Sequence, residues 1–412
     1  DKEYFEKAGY KMKYDATRKT TVDAWREFRN KCSKRALVIM PVQTGELREF
    51  AIKNNLFVLN LNKELGDAGA GQNISLLEEV LAWLEPNAPV YGWEQGVSED
   101  QFVARVSKSG HPMIPCDWSY NHSLLSLLYE KGREQVLPRI FDPRSIDFKK
   151  KKNFVSFFLS DGDNIQWMMQ DFASRYYDVP EAEDVKMTFG LPVATLAMMA
   201  PVQFNNLMGL QKQNCSLMEM LGGGYYYVDT YSQDNNRKTN LRVAAKRLAV
   251  SMRQYQIKLL GIMAMDVKSE AAKEAYQVYV DANDQLEGIV VLQYSPYAGG
   301  EGEVFWVTNK AGYDIPVITV KYSLWDRIHE REGSPDFIAS KLKEEAQEES
   351  FSVVCVHAWS RFEGDTYGAS AAKRCAERLD DRFEAINMQE LVWRLRMSRR
   401  PEQTLDYLNK IY

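Results

Sequence analysis

Two acids and an amide lie within five residues in SDGDN, positions 160–164. Asp161 and Asp163 could act as a catalytic carboxyl group or as contacts to sugar hydroxyls, and together they could supply oxygen ligands for a hard cation. Two acids this close raise one another's pKa, which costs free energy unless a ligand uses them. The structural alternative is an ordinary turn, in which Asp163 or Asn164 caps a helix and Gly162 permits the bend.

Glycoside hydrolysis needs a carboxyl group on each side of the scissile bond, about 5 Å apart in retaining enzymes and about 6.5–9.5 Å apart in inverting ones. Two acids on one turn face a substrate from the same side. The partner of Asp161 or Asp163 is therefore expected on another segment. The candidates are acids near the ends of other predicted strands: Asp229, Asp266, Glu301 and Glu363.

LGGGYYYVDTY, residues 221–231, combines three glycines with three consecutive tyrosines. Neither GxGxxG nor GxxxxGK[ST] is present, which argues against a phosphate loop. Tyr225 and Tyr227 could stack on the apolar faces of a sugar while Asp229 contacts its hydroxyl groups. The alternative is a strand whose alternate tyrosines pack inward.

Two further segments carry aromatic residues where predicted strands end. YSPYAGGEGEVFW, residues 294–306, reads as a loop that could present Tyr297 and Trp306 to a ligand, or as a long structural loop. FSVVCVHAW, residues 351–359, ends in His357 and Trp359. His357 could contact substrate or be a polar residue of the core.

The sequence does not contain the motifs typical of zinc sites, redox cysteine pairs or α/β-hydrolase nucleophiles. The four histidines show no HxxxH spacing, the five cysteines form no CxxC pair, and GxSxG is absent. We therefore predict no metal and no cofactor, although a cation at SDGDN stays open.

The composition limits the partners. A net charge of −5 argues against nucleic acid, which requires clustered Lys and Arg. No run of about 18 apolar residues indicates a membrane span. The chain shows no signal peptide, and its sequence carries no sign of an oligomeric state.

Strand-like and helix-like segments alternate through the whole chain, which predicts an α/β fold. We expect a smaller N-terminal α/β domain over 1–150 and a second domain over 151–412, with the boundary in the Pro- and Lys-rich stretch 139–153. The longer and more regular alternation of the second domain favours a (β/α)8-like, TIM-type barrel, with a doubly wound open sheet as the alternative. In either fold, ligands bind at the carboxyl ends of the strands.

Gly222, Gly224, Tyr225 and Tyr227 match the motif of the GxGYxYP putative glycoside hydrolases, except that Val228 stands where the motif has proline. SDGDNIQW (160–167) and QYSPYAGGEGEVFW with NKAGYDIPV (309–317) are also similar to this family. YGWEQG (91–96) and CDWSYNHS (116–123) look like its N-terminal region. The resemblance spans most of the chain.

The resemblance implies an exported, sugar-processing protein with a barrel-like C-terminal domain and a smaller N-terminal one. We therefore expect a carbohydrate ligand and a glycosidase-like activity. A non-catalytic carbohydrate-binding protein on a degenerate barrel, or a metal-assisted hydrolase, are the alternatives. YGWEQG and CDWSYNHS each place a Trp next to an acid, so the N-terminal unit could form one wall of the cleft or simply pack against its neighbour.

Overall fold

A computed structural model describes residues 2–40, 45–61, 73–93, 97–129, 135–160, 164–221, 223–233 and 236–412. In its N-terminal part, a small sheet is formed by strands β1 to β4, namely Leu37–Ile39, Phe57–Leu59, Val90–Gly92 and Met113–Pro115. Helices α1 to α6 are Lys2–Lys7, Thr21–Phe28, Arg48–Asn54, Ile74–Trp83, Glu99–Lys108 and His122–Leu125. Two 3₁₀ turns, Arg29–Lys31 and Pro143–Ser145, complete this part.

The rest of the chain forms a larger sheet with its own helices. Strands β5 to β14 are Asn153–Ser160, Thr188–Leu191, Ser216–Met220, Leu259–Ala264, Gly288–Gln293, Val304–Thr308, Asp314–Thr319, Tyr322–Leu324, Ser350–His357 and Phe383–Ala385. Helices α7 to α16 are Ile165–Met168, Pro180–Asp184, Val193–Met199, Pro201–Leu210, Arg237–Gln254, Glu270–Ala282, Pro335–Glu344, Gly368–Glu377, Met388–Arg399 and Pro401–Ile411. A π-helix, Ala173–Tyr177, and a 3₁₀ turn, His329–Arg331, lie between them.

The small sheet is parallel, with strand order β2-β1-β3-β4. Its short strands are largely buried, as the apolar runs of the sequence predict for a parallel sheet covered on both faces. Because all four strands run the same way, Gly92 and Pro115, at the ends of β3 and β4, lie side by side. The residues that follow them therefore emerge at one edge.

The large sheet is curled and follows the order β10-β11-β9-β8-β7-β6-β5-β13-β12, with β14 beside the start of β5. All its pairings are parallel except that of β10 with β11. Within this sheet, β5 is buried over its whole length and pairs with β13 through all eight residues. The carboxyl ends of β5, β9, β12 and β13 therefore meet at one edge.

Residues 314–324 change partners within the large sheet. The β11 part pairs with β9, and the β12 part pairs with β13. At the change, the N–H of Val320 donates to the carbonyl of Val291, and the next N–H, that of Lys321, donates to the carbonyl of Val353. One continuous segment thus bonds to both ends of the curled sheet.

The helical segment after β5 is divided into α7 and the π-helix. Phe172, Tyr176 and Tyr177 are all buried, with at most 1% of their surface exposed. An α-helix would point Tyr177 away from Phe172, whereas the wider π turn brings both onto the core face. Packing of these rings therefore overrides the regular helix.

Residues 223–231, which we call the tyrosine strap, join the two sheets. Tyr225 pairs with Met113 of β4 through two backbone hydrogen bonds, and Tyr227 forms a bridge with Met263 of β8. The N–H of Val228 donates to the Met263 carbonyl at 2.9 Å. A proline has no N–H, so the departure from the GxGYxYP motif at Val228 adds a hydrogen bond that the motif residue could not make.

All five cysteines are free, and four of them are buried. Among the described residues, no helix combines the length and the apolar character needed to cross a bilayer.

Substitution of Gly224 tests whether the tyrosine strap requires its close approach to β4. At its φ of +119°, an added Cβ would lie 2.6 Å from Pro112 Cβ and 2.8 Å from the Met113 carbonyl oxygen. We expect Gly224→Ala to lower the free energy of unfolding by roughly 2–4 kcal/mol, measured by urea denaturation. Gly223→Ala is the control: φ is also positive, +79°, but nothing lies within 4 Å, so only about 1 kcal/mol should be lost. Equal losses would contradict the close approach.

Candidate active site

A cavity of about 360 Å³ opens where the carboxyl ends of the two sheets face each other. We call it the main cavity. The small sheet contributes residues that follow β3 and β4, and the large sheet contributes residues that follow β5, β9, β12 and β13. Its lining comprises Trp93, Glu99, Pro115, Asp117, Trp118, Asn164, Gln166, Tyr294, Tyr297, Trp325, Arg327, His357 and Trp359.

Glu99 is one of two acids among the described residues of the cavity wall. It is the first residue of α5, and its Oε1 accepts a hydrogen bond from the Tyr225 hydroxyl at 2.9 Å. Burial raises the pKa of Glu99, and neighbouring Asp100 adds to the rise, while the bond from Tyr225 opposes it. Glu99 is thus a carboxyl group that keeps its proton more readily than an exposed glutamate.

Asp117 is the second acid, two residues beyond β4. Its Oδ1 accepts a hydrogen bond at 3.1 Å from the side-chain N–H of Gln166, whose own oxygen accepts the backbone N–H of Trp118 at 2.6 Å. Burial raises the pKa of Asp117, and the charge of Glu46 acts in the same direction. Gln166, in the first turn of α7, therefore ties the acid-bearing loop of the small sheet to the large sheet.

Three aromatic rings form a cluster on the wall of the main cavity. Trp325 contacts both Tyr297 and His357, with ring centroids 5.0 Å and 4.5 Å away and interplanar angles of 26° and 13°. The rings of Tyr297 and His357 are themselves 6.2 Å apart, so the three rings are mutual neighbours. They lie after β9, after β12 and at the end of β13, so the cluster depends on the order of the strands in the large sheet.

His357 is neutral near physiological pH. Burial lowers its pKa to about 4, and the charge of Arg327 acts in the same direction, although Asp326 opposes it. Nδ1 lies 3.0 Å from the Ser360 hydroxyl, which in turn lies 3.3 Å from Asp326 Oδ1. If Ser360 donates to Asp326, it accepts from Nδ1–H, and this leaves the lone pair of the imidazole on Nε2.

The candidate residues predicted from the sequence differ in their position relative to the main cavity. Asn164, Tyr297, His357 and Trp359 line the main cavity. Asn164 also caps α7, accepting the N–H of Trp167 at 3.3 Å, so its structural and binding interpretations are compatible. Asp161 and Asp163 lie outside the described residues.

Tyr225 and Tyr227 lie behind the cavity wall. Both are almost completely buried, with hydroxyl groups 3.5 Å apart, and Tyr225 holds Glu99. The ring of Tyr227 lies 5.7 Å from that of Tyr294, which does line the cavity. These tyrosines support the wall, and Tyr226 packs on the other side, against Tyr231.

Five other candidates do not line the main cavity. Asp229 accepts the backbone N–H groups of Met265 and Asp266 at 3.0 and 2.9 Å and so orders the turn after β8. The carboxylate of Asp266 accepts the N–H of Lys268 at the surface. The side chains of Glu301 and Glu363 are 82% and 87% exposed. Trp306 lies under the guanidinium of Arg400, 4.6 Å from its ring centroid.

Several residues that line the main cavity were not among the candidates predicted from the sequence. Trp93 and Asp117 lie in the two N-terminal segments considered for a cleft wall, and their Trp–acid pairing was the signal. Glu99 had no such signal, because an acid in the first turn is ordinary at a helix start. Trp325 and Arg327 follow β12, a strand of only 3 residues, which is too short to show a clear pattern in the sequence.

The arrangement offers two carboxyl groups, a neutral imidazole and several aromatic rings, which suits acid–base chemistry on a polar ligand with apolar faces. In the described part of the chain, no group of three or more His, Cys, Asp and Glu side chains is placed to hold a metal ion.

Comparison with known proteins gives matches over both parts of the chain. Residues 151–396 match the model described as "GxGYxYP putative glycoside hydrolase C-terminal domain", and residues 34–127 match the "GxGYxYP third domain". No curated protein matches. A crystal structure of a putative hydrolase from Bacteroides thetaiotaomicron VPI-5482 is similar, with a TM-score of 0.77 and 18% identity. The match covers 97% of this chain and 73% of that one, and at this identity it supports the fold alone.

The ionisation of His357 can be measured directly. Because its folded-state pKa lies near 4, below the usual 6.5, we expect its Cε1–H NMR resonance not to shift between pH 8 and about 5.5. The resonance is assigned by its loss in His357→Gln. The unfolded chain binds the proton first, so wild-type stability should fall as pH drops from about 6.5 to about 4, and less so in the variant. A midpoint near 6.5 would contradict the buried neutral ring.

Proposed function

Because the chain belongs to the GxGYxYP putative glycoside hydrolase family, we propose that it is a hydrolase that cleaves a glycosidic bond in the main cavity. The observation that carries this proposal is the pair of carboxyl groups, Glu99 and Asp117, whose pKa values are both raised by burial in one aromatic cavity. A carbohydrate fits such a lining, since its hydroxyl groups bond to acids and its C–H faces stack on rings.

The reaction needs one protonated and one ionised carboxyl group. The first donates its proton to the glycosidic oxygen as the bond to the anomeric carbon breaks. The second either attacks that carbon or takes a proton from the attacking water. Raised pKa values favour the first role near neutral pH, and the hydrogen bonds from Tyr225 and Gln166 favour the ionised form needed for the second.

Aromatic groups at the rim support sugar binding. Trp118 and Trp359 are 54% and 42% exposed, although tryptophan is usually mostly buried. Both line the main cavity, one from each sheet. We propose that they stack on sugar rings at its entrance.

Asp161 and Asp163 remain candidates for one of the two carboxyl roles. The support is their position in the sequence, between Ser160 at the end of β5 and Asn164 in the cavity lining. They are therefore included in the mutational test below.

We also propose that the curled sheet closes into the TIM-type barrel expected from the sequence. The support is the segment 314–324, which bonds to β9 at one end and to β13 at the other. Amides of Val320 and Lys321 should then exchange with deuterium as slowly as those of central β5, whereas fast exchange would indicate an open sheet.

Family membership further supports export to a compartment where polysaccharides occur, and cell fractionation of the native host would test this. A purely cytoplasmic protein would contradict it.

The catalytic proposal is tested with a panel of aryl glycosides and natural glycans. Glu99→Gln and Asp117→Asn should each lower kcat/KM by about 10²–10⁴-fold, because each removes a proton donor or acceptor. Asp161→Asn and Asp163→Asn test the sequence candidates. Glu270→Gln, a 90% exposed acid on α12, is the control and should not change the rate. Full activity in both cavity variants would exclude their role, and glycan binding without turnover would indicate a binding protein.

A good leaving group separates the two roles. On a dinitrophenyl glycoside, departure needs little protonation, so the variant that lacks the acid should regain most of its rate. The variant that lacks the other carboxylate should stay slow. Identical behaviour of both variants on both substrates would contradict the division of roles.

Tyr225→Phe tests the support of Glu99. Loss of the hydroxyl removes a hydrogen bond that favours the ionised form, so the pKa of Glu99 should rise further. The limb of the kcat/KM pH profile that reports Glu99 should therefore move to higher pH. Tyr226→Phe is the control, since its hydroxyl bonds to Tyr279 instead. An unchanged profile in Tyr225→Phe would mean that Glu99 does not limit the rate.

A further inference from the structure

A second cavity of about 550 Å³ adjoins the main cavity, and Trp325 lines both. We call it the arginine cavity, after Arg331, Arg361 and Arg374 in its lining. It lies beyond the carboxyl ends of β12 and β13, next to α13 and α14. A chain of sugars that entered the main cavity could thus continue past Trp325.

The lining of the arginine cavity includes buried hydrogen-bond donors without a partner. In the described part of the chain, three buried N–H nitrogens of its lining residues lack a partner: Trp325 Nε1, Arg361 Nη1 and Arg374 Nε. Buried donors without an acceptor cost free energy, and three around one cavity are unusual. A ligand rich in acceptor oxygens would satisfy them.

Two of the acids in the lining already have partners. Asp336 accepts a hydrogen bond from Arg374 Nη2 at 2.8 Å and pairs with Arg378. Asp326 accepts the backbone N–H of Arg361 at 2.9 Å and the hydroxyl of Ser360. The third acid, Glu363, is 87% exposed, and its carboxylate lies 3.7 Å from Arg374 Nη2. Asp336 Oδ1 lies against Arg378 and makes no hydrogen bond within the described part of the chain. The acids of the lining thus interact mainly with Arg374 and Arg378, and Trp325 Nε1 and Arg361 Nη1 have no partner among the described residues.

Neighbouring side chains fix the orientation of Arg361 in the arginine cavity. Its guanidinium carbon lies 3.8 Å from the centroid of the Tyr367 ring, and Nη2 donates to the Tyr176 hydroxyl at 3.2 Å. Among the described residues, the carboxylate within 4.0 Å of its guanidinium is that of Asp365, which is 83% exposed. The side chain is thus oriented by neutral groups and keeps its charge largely uncompensated.

We propose that the arginine cavity is a subsite for an anionic group, a carboxylate or a sulfate ester, carried by the sugar next to the one cleaved. This rests on the proposed function, since the main cavity would hold the scissile bond. Guanidinium groups match the oxygens of both anions in two-pronged hydrogen bonds. The substrate class is therefore an acidic polysaccharide, either uronate-containing or sulfated.

Binding is measured by NMR titration, independently of turnover. The probes are glucose, glucuronate and glucose 6-sulfate, with the matching galactose series for sugar stereochemistry. At least one anionic sugar should bind about tenfold or more tightly than its neutral parent, the effect of one charge-assisted hydrogen bond. The carboxylate and sulfate arms show which anion is preferred. Equal affinity for neutral and anionic sugars, or no binding of any anionic sugar, would overturn the proposal.

Substitutions test whether the preference for anionic sugars arises in the arginine cavity. Arg361→Gln and Arg331→Gln should each remove most of the preference for the anionic sugar. Arg175→Gln is the matched control, because Arg175 also packs on the Tyr367 ring, at 5.6 Å, but does not line the arginine cavity. It should keep the preference, and a thermal melt confirms that each variant is folded. A loss that is equal in all three variants would place the anion elsewhere.

The two proposals fail separately. Asp117→Asn should bind the anionic sugar like the wild type even if it turns nothing over. Anion binding that is intact without any glycosidase activity would reject the proposed reaction and keep the subsite. Glycosidase activity with equal rates on neutral and acidic glycans would keep the proposed reaction and reject the anionic subsite.

Discussion

The pairing of Tyr225 with Met113 connects the two sheets through their backbones. It joins β4 of the small sheet to the tyrosine strap, and two residues later Tyr227 joins the strap to β8. Gly224 makes the close approach possible, since a side chain would collide with the β4 backbone. The absence of a side chain at this position therefore favours the arrangement in which the two sheets present their carboxyl ends to each other.

The strap also connects architecture to chemistry. The same Tyr225 whose backbone joins the sheets donates its hydroxyl to Glu99. On the other side of the cavity, Gln166 bonds to Asp117 and links the large sheet to the loop after β4. Both acids come from the small sheet, and a residue of the large-sheet part of the chain holds each one. A change in the packing of the two sheets would thus alter both carboxyl groups together.

Burial tunes the ionisable groups of the cavity in a common direction. It favours the neutral forms, so the pKa values of Glu99 and Asp117 rise while that of His357 falls. The cluster of Tyr297, Trp325 and His357 adds an uncharged aromatic surface to the cavity. Three arginines lie beyond Trp325, in the arginine cavity, together with Asp326, Asp336 and Glu363. This division separates the region suited to proton transfer from the region suited to anion binding.

Local sequence pattern carries much of the information on the strands and on the edge that bears the candidate site. Continuous apolar runs at 35–41, 154–160 and 351–359 coincide with β1, β5 and β13, because buried parallel strands require continuous hydrophobic residues. The rule that ligands bind at strand ends then singled out Asn164, Tyr297, His357 and Trp359, all of which line the main cavity. The motif also identified the family.

Which acids line the main cavity follows from the packing of the two sheets and not from local sequence pattern. Asp266 and Glu301 follow predicted strands just as Asn164 does, yet they face the surface, because local pattern does not encode the direction in which a loop leaves the sheet. Glu99 looks like an ordinary residue of a helix start until the packing of the two sheets brings it beside Tyr225. The tyrosines themselves could have lined the cleft or supported it. Their burial, set by the backbone pairing of the strap with both sheets, makes them the support.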